Sequence, residues 1–152
     1  MGSEIAIGDD DMSAAQPNLL VKLSAGLYGL AGVLVALSGV QLLTMLLDGY
    51  SIPAPLPYGL LGGGVGLLYL GTRVFRARTW AAFTALVLAP ALLLALGGWL
   101  AYSVTAIFSC IVLVSLPMLV LSGILGAVTL GGVRRAAAAR ARLDAAGLSL
   151  GQ

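Results

Sequence analysis

The chain contains no histidine and a single cysteine. Without imidazole, bis-histidine haem, imidazole-held metal and the commonest general base are excluded together. Cys110 lies inside an apolar run, where a lone thiol fills space; it allows no intrachain disulfide and gives no sign of an oxidising compartment. Charge is nearly as scarce, at 9% of residues against 60% hydrophobic, whereas a soluble domain is about a quarter charged. With a mean hydropathy of +1.05, the surface is expected to face lipid.

The long apolar runs also lack ionisable residues away from their ends. Carriers coupled to ions, proton relays and voltage sensors need such groups within the membrane, so their absence argues against a proton-coupled antiporter. No carboxylate pair and no base beside any serine is visible, which argues against an intramembrane hydrolase. The sequence therefore predicts no catalytic residue, no metal ligand and no cofactor.

What the chain does have is four apolar runs, at about 23–47, 56–75, 80–102 and 106–133, each near or above the roughly 20 residues a helix needs to cross the hydrocarbon layer. They predict an all-α integral membrane protein, an antiparallel four-helix bundle, with a transmembrane domain over 19–133. Residues 1–18 read as a disordered acidic tail carrying Asp9, Asp10 and Asp11. The tail lacks the basic start of a signal peptide, and Ala6 stands where a myristoylation signal wants Ser or Thr. Residues 134–152 read as a basic, alanine-rich tail continuing the fourth span as helix. In the loop from Asp48 to Pro57, Pro53, Pro55 and Pro57 predict an extended connection, and Pro90 and Pro117 predict kinks within the third and fourth spans.

Lys22, Arg73, Arg76, Arg78, Arg134, Arg135, Arg140 and Arg142 all fall on one side of the layer these spans would cross, and the only charge on the other side is Asp48. Basic residues in short loops mark the cytoplasmic side. The pattern predicts a multi-pass protein of the plasma or inner membrane with both termini cytoplasmic. Tyr50, Tyr58, Trp99 and Tyr102 are placed for an outer aromatic belt, Phe75 and Trp80 for an inner one. Arg73, Arg76, Arg78, Arg134 and Arg135 are candidates for contact with anionic lipid headgroups. Nucleic acid is not expected as a partner, because the arginines lack interleaved aromatics.

Small residues give the most specific signal. In the first span Ala25, Gly29, Gly32, Ala36 and Gly39 recur every three and four residues, which aligns them on one stripe. Gly59, Gly62, Gly63 and Gly66 in the second span, and Ser122, Gly123 and Gly126 in the fourth, with Ser115 and Thr129 beyond, resemble it. In lipid, helices associate through close backbone approach, so these positions are expected to be packing seams. Gly62-Gly63-Gly64 also admits a broken helix facing a cavity. Gln41, Thr44 and Asp48 form a polar stripe that would suit contact with a small polar solute. A shift of 60 residues superposes Pro57, Gly63, Gly66, Leu70 and Gly71 on Pro117, Gly123, Gly126, Leu130 and Gly131, a pattern that two duplicated hairpins would leave.

These features favour a non-catalytic accessory or self-associating subunit of a membrane complex, with lipids and a homo-oligomer or membrane-protein partner around it. One alternative is a passive channel or facilitator, an oligomer whose pore is lined by Gln41, Thr44 and the serine stripe of the fourth span. Another is a lipid-binding or lipid-modifying protein acting at the basic face.

Overall fold

The computed structural model describes residues 18–76, 78–102 and 110–147. The acidic tail, the 103–105 connection, the expected start of the fourth span at Ala106 and the last five residues lie outside these. The described residues form four helices: α1 (Leu19–Leu47), α2 (Pro55–Phe75), α3 (Thr79–Tyr102) and α4 (Cys110–Ala145). Three are long and apolar enough to cross a membrane: α1, α3 over Thr79–Ala101, and α4. α2 has the length, at 21 residues, but six glycines and two prolines dilute its hydropathy, so only three of the four expected spans qualify by composition.

Local chemistry sets the helix ends. α1 stops at Asp48 because Gly49 takes φ +90, a left-handed conformation that costs glycine nothing. The Gly49 N–H then donates to the Leu46 carbonyl (3.2 Å) and the Tyr50 N–H to the Met45 carbonyl (3.1 Å), the paired bonds of a Schellman cap. The expectation of an extended chain through Pro57 is corrected here. Pro55 and Pro57 sit in the first turn of α2, where an N–H has no helical acceptor and a fixed φ suits the helix. α2 runs unbroken through Gly62-Gly63-Gly64, and α3 and α4 run unbroken through Pro90 and Pro117.

Each helix packs against two others in a ring: α1 on α2 and α4, α3 on α2 and α4. The α1–α2 interface is the most extensive. Buried positions follow a heptad rhythm. On α1 they include Val21, Ser24, Tyr28, Ala31, Val35, Ser38 and Leu42, with Ala25, Gly32 and Gly39 buried beside them; on α4 they include Val112, Ser115, Leu119, Ser122, Gly126 and Thr129. Steps of three and four residues are those of left-handed knobs-into-holes packing. The outward faces stay apolar: Leu94 is 76% exposed, Val87 69% and Val128 68%. A soluble monomer rarely leaves so much large apolar surface uncovered.

In the α1–α2 seam two backbones meet with no side chain between them. A Cβ on Gly32 would stand 2.6 Å from the Gly64 carbonyl oxygen, and one on Gly39 would stand 2.7 Å from the Leu61 nitrogen. A Cβ on Gly71 would stand 3.0 Å from the Ala25 carbonyl oxygen. Gly39 lies against Leu61 while Ala25 lies against Gly71, so α1 and α2 run antiparallel. The same argument from Val21 beside Gly132 and Tyr28 beside Gly126 makes α1 and α4 antiparallel.

Candidate functional site

Three regions could carry function: the polar stripe on α1, the basic end and a groove between α2 and α3. On the stripe, Gln41 is half-buried while Thr44 and Asp48 are exposed. Thr44 turns its hydroxyl back onto the Gln41 carbonyl, 2.7 Å away.

The serine stripe that the channel alternative would need as a pore lining lies inside the packed helices. Ser115 and Ser122 are fully buried, and their hydroxyls donate to the Val112 and Leu119 carbonyls of their own helix at 2.7 and 2.9 Å. Thr129 likewise donates to the Leu125 carbonyl at 2.8 Å. Groups satisfied this way have no donor left for a solute.

Sequence reasoning missed the buried polar groups of α1. Ser24, Tyr28 and Ser38 all face the core. Ser38 donates to the Leu34 carbonyl at 2.9 Å, whereas Ser24 Oγ and Tyr28 OH are buried with no hydrogen-bond partner. The heptad step Ser24, Ala31, Ser38 was the available signal. A buried hydroxyl without a partner costs about 1–3 kcal/mol. Tyr28→Phe is therefore expected to stabilise the fold by about 1 kcal/mol or more, measured by thermal unfolding in detergent; destabilisation would show that the hydroxyl has a partner.

At the basic end, antiparallel packing brings together the start of α1, the end of α2, the start of α3 and the end of α4. Lys22, Arg76, Arg78, Arg134, Arg135 and Arg142 are exposed there, and Asp144 is the one acidic residue among the described residues at that end. Arg73 is held over the Tyr69 ring, 5.0 Å from its centroid, and donates to the Tyr69 hydroxyl from Nε and Nη2 at 3.0 and 2.7 Å. Arg134 lies 4.8 Å over the Phe83 ring. Arg140 reaches from α4 to donate to the Arg76 carbonyl at 2.6 Å, capping the C-terminus of α2, where orphan carbonyls favour a cation.

At the opposite end α2 and α3 part, leaving a groove of about 570 Å³, open along one side. Pro53 and Leu56 line it from the α2 side, Ala91, Ala95 and Trp99 from α3. Gly59 and Gly98 also line it, and a Cβ on either would meet nothing within 4 Å. Trp99 was expected in an aromatic belt, but it is buried at 7% exposure because it turns inward against the groove. Tyr50, Tyr58, Phe75 and Trp80 are exposed.

The seam residues divide. Ala25, Gly29, Gly32, Ala36 and Gly39 lie against α2, Gly63 and Gly66 against Leu92 and Leu88 of α3, and Gly126 against Tyr28. Gly59, Gly62 and Gly123 have open space beside them, while Gly64 and Gly71 lie directly against the backbone of α1. Positions equated by the 60-residue shift differ in surroundings, since Gly71 is wedged against α1 and Gly131 meets nothing. Among the described residues no group of three His, Cys, Asp or Glu could hold a metal.

The described residues define a class: all-helical, with three helices long and apolar enough to span a membrane. No family model, curated protein or solved structure matches the chain.

Proposed function

We propose that this chain is a multi-pass protein of the plasma or inner membrane, crossing it four times with both termini cytoplasmic, and that it acts without catalysis as an accessory or self-associating subunit. The collection of eight Lys and Arg residues at one end, opposite an end whose only described charge is Asp48, supports the orientation. α2 crosses with the others because its glycines lie among apolar neighbours. The observation that carries the associating role is that glycines remain on outward faces after the internal seams close. Gly62 on α2 and Gly123 on α4 have nothing within 4 Å, and close backbone approach is what membrane helices use to associate.

Two experiments test this reading. In a Cys110→Ser background, Ser51→Cys is expected to react with an impermeant maleimide from outside intact cells, and Ala141→Cys only after permeabilisation; the reverse pattern would invert the topology. Native mass spectrometry of protein extracted with its lipids is expected to find a second copy or a partner at fixed stoichiometry, and Gly123→Leu to remove it. A chain always found alone, or solute flux lost on Gln41→Leu, would replace the associating role with another.

A further inference from the structure

We infer that two arginines clasped by aromatic rings, Arg73 on α2 and Arg134 on α4, bind the phosphates of anionic membrane lipids; this rests on the membrane placement proposed above. The sequence marks eight cations at this end without ranking them. The structure ranks them. Arg73 lies 5.0 Å from the centroid of the Tyr69 ring, and Arg134 crosses from α4 to lie 4.8 Å from that of Phe83 on α3. Tyr69 and Phe83 are 50% and 42% exposed, and one turn along their helices Val65 and Val87 are exposed too. Each guanidinium is therefore drawn onto an outward, apolar face.

A cation on such a face needs a counter-charge, because leaving water unpaired is costly. The described residues supply none. Asp144, the one acid among them at this end, stands ten residues beyond Arg134 on α4, about 15 Å along the axis. Tyr69 takes two N–H bonds from Arg73, through Nε and Nη2, which leaves Nη1 and the tyrosine O–H to donate to an anion. Stacking uses the face of the Arg134 guanidinium and leaves its in-plane N–H donors unspent. Such an edge fits two phosphate oxygens at once.

Depth selects the anion. Phe83 lies four residues inside the start of α3 and Tyr69 six residues inside the end of α2, about 6 and 9 Å respectively. In the proposed placement both rings stand where hydrocarbon gives way to headgroups, and lipid phosphates lie beside them. Nucleic acid or an acidic soluble protein would arrive from the water side and meet Arg142 first, eight residues beyond Arg134.

The test is native mass spectrometry of the full chain in detergent, titrated with phosphatidylglycerol or with phosphatidylcholine, whose phosphate is neutralised by its own choline. Phosphatidylglycerol is expected to bind the more tightly. Arg73→Gln and Arg134→Gln should each lower its affinity about fivefold, the worth of one cation near an anionic headgroup, while Arg142→Gln leaves it unchanged. Tyr69→Leu and Phe83→Leu keep all eight cations and should still weaken binding, because the arginines lose the rings that hold them. None of these side chains is in the packed core, so the variants are expected to keep the parent's unfolding midpoint. Equal affinity for the two lipids, a loss from Arg142→Gln as large as from Arg73→Gln or Arg134→Gln, or ring variants that bind like the parent would each overturn the site. Displacement of the lipid by inorganic phosphate would overturn it in favour of a soluble anion. Flotation with phosphatidylcholine vesicles keeps the two levels of the argument apart: protein that does not float contradicts the membrane placement, whereas protein that floats without preferring phosphatidylglycerol contradicts only the lipid site.

Discussion

Gly32→Leu is expected to separate α1 from α2, with a loss of about 3 kcal/mol or more of stability, read as a lower unfolding midpoint in detergent. Ordinary overpacking is relieved when neighbouring side chains rotate. Here the atoms in the way are the Gly64 carbonyl oxygen, 2.6 Å from a Cβ, and the Leu68 nitrogen at 2.7 Å. Both belong to the α2 backbone, so a whole helix must move. Even Gly32→Ala should therefore destabilise, although alanine is the better helix former by about 1 kcal/mol. Gly62→Ala is the matched control: with nothing within 4 Å, it should be neutral or gain up to about 1 kcal/mol from helix propensity. Equal behaviour of the two alanine variants would mean that α1 and α2 do not meet at Gly32.

Gly126→Ala should cost about 2 kcal/mol or more, for a different reason. A Cβ there would run into the hydroxyl and ring of Tyr28, and that ring is fixed in the core at 1% exposure. The obstacle is one side chain, so the defect should be repairable. In a Tyr28→Leu background, which loses the ring, Gly126→Ala should cost almost nothing. Contacting residues show interaction energies of about 0.5–3 kcal/mol in such double-mutant cycles. Additive effects of the two substitutions would remove Tyr28 from the α1–α4 seam.

These two positions also show what the sequence could and could not reveal. The stripe from Ala25 to Gly39 was legible because five small residues kept a strict three-and-four rhythm on one helix. In α2 Gly62, Gly63 and Gly64 are consecutive and so point in different directions around the helix, leaving the packed face ambiguous. Gly64 and Gly71 take the seam and Gly59 and Gly62 do not, a choice made by the register with α1. Apolar residues on all sides of α1, α3 and α4 remove the polar-to-apolar contrast that normally marks a buried face. Trp99 was misplaced for that reason: near the end of an apolar run, tryptophan suits both an interface and an interior. The groove itself depends on where α2 and α3 part, which no local pattern records. Pro55 and Pro57 were read as helix breakers although their position at a helix start makes them initiators.

The length of α4 has a mechanical consequence. Its 36 residues extend about 54 Å, against a hydrocarbon layer of about 30 Å. In the proposed orientation the surplus projects as a rod into the cytoplasm. Free at its tip, such a rod would be a lever that amplifies every tilt of the helix. The bond from Arg140 to the Arg76 carbonyl ties it near its middle to the α2–α3 turn and makes it a strut, so anything attached beyond Gly147 would be held at a fixed bearing to the membrane.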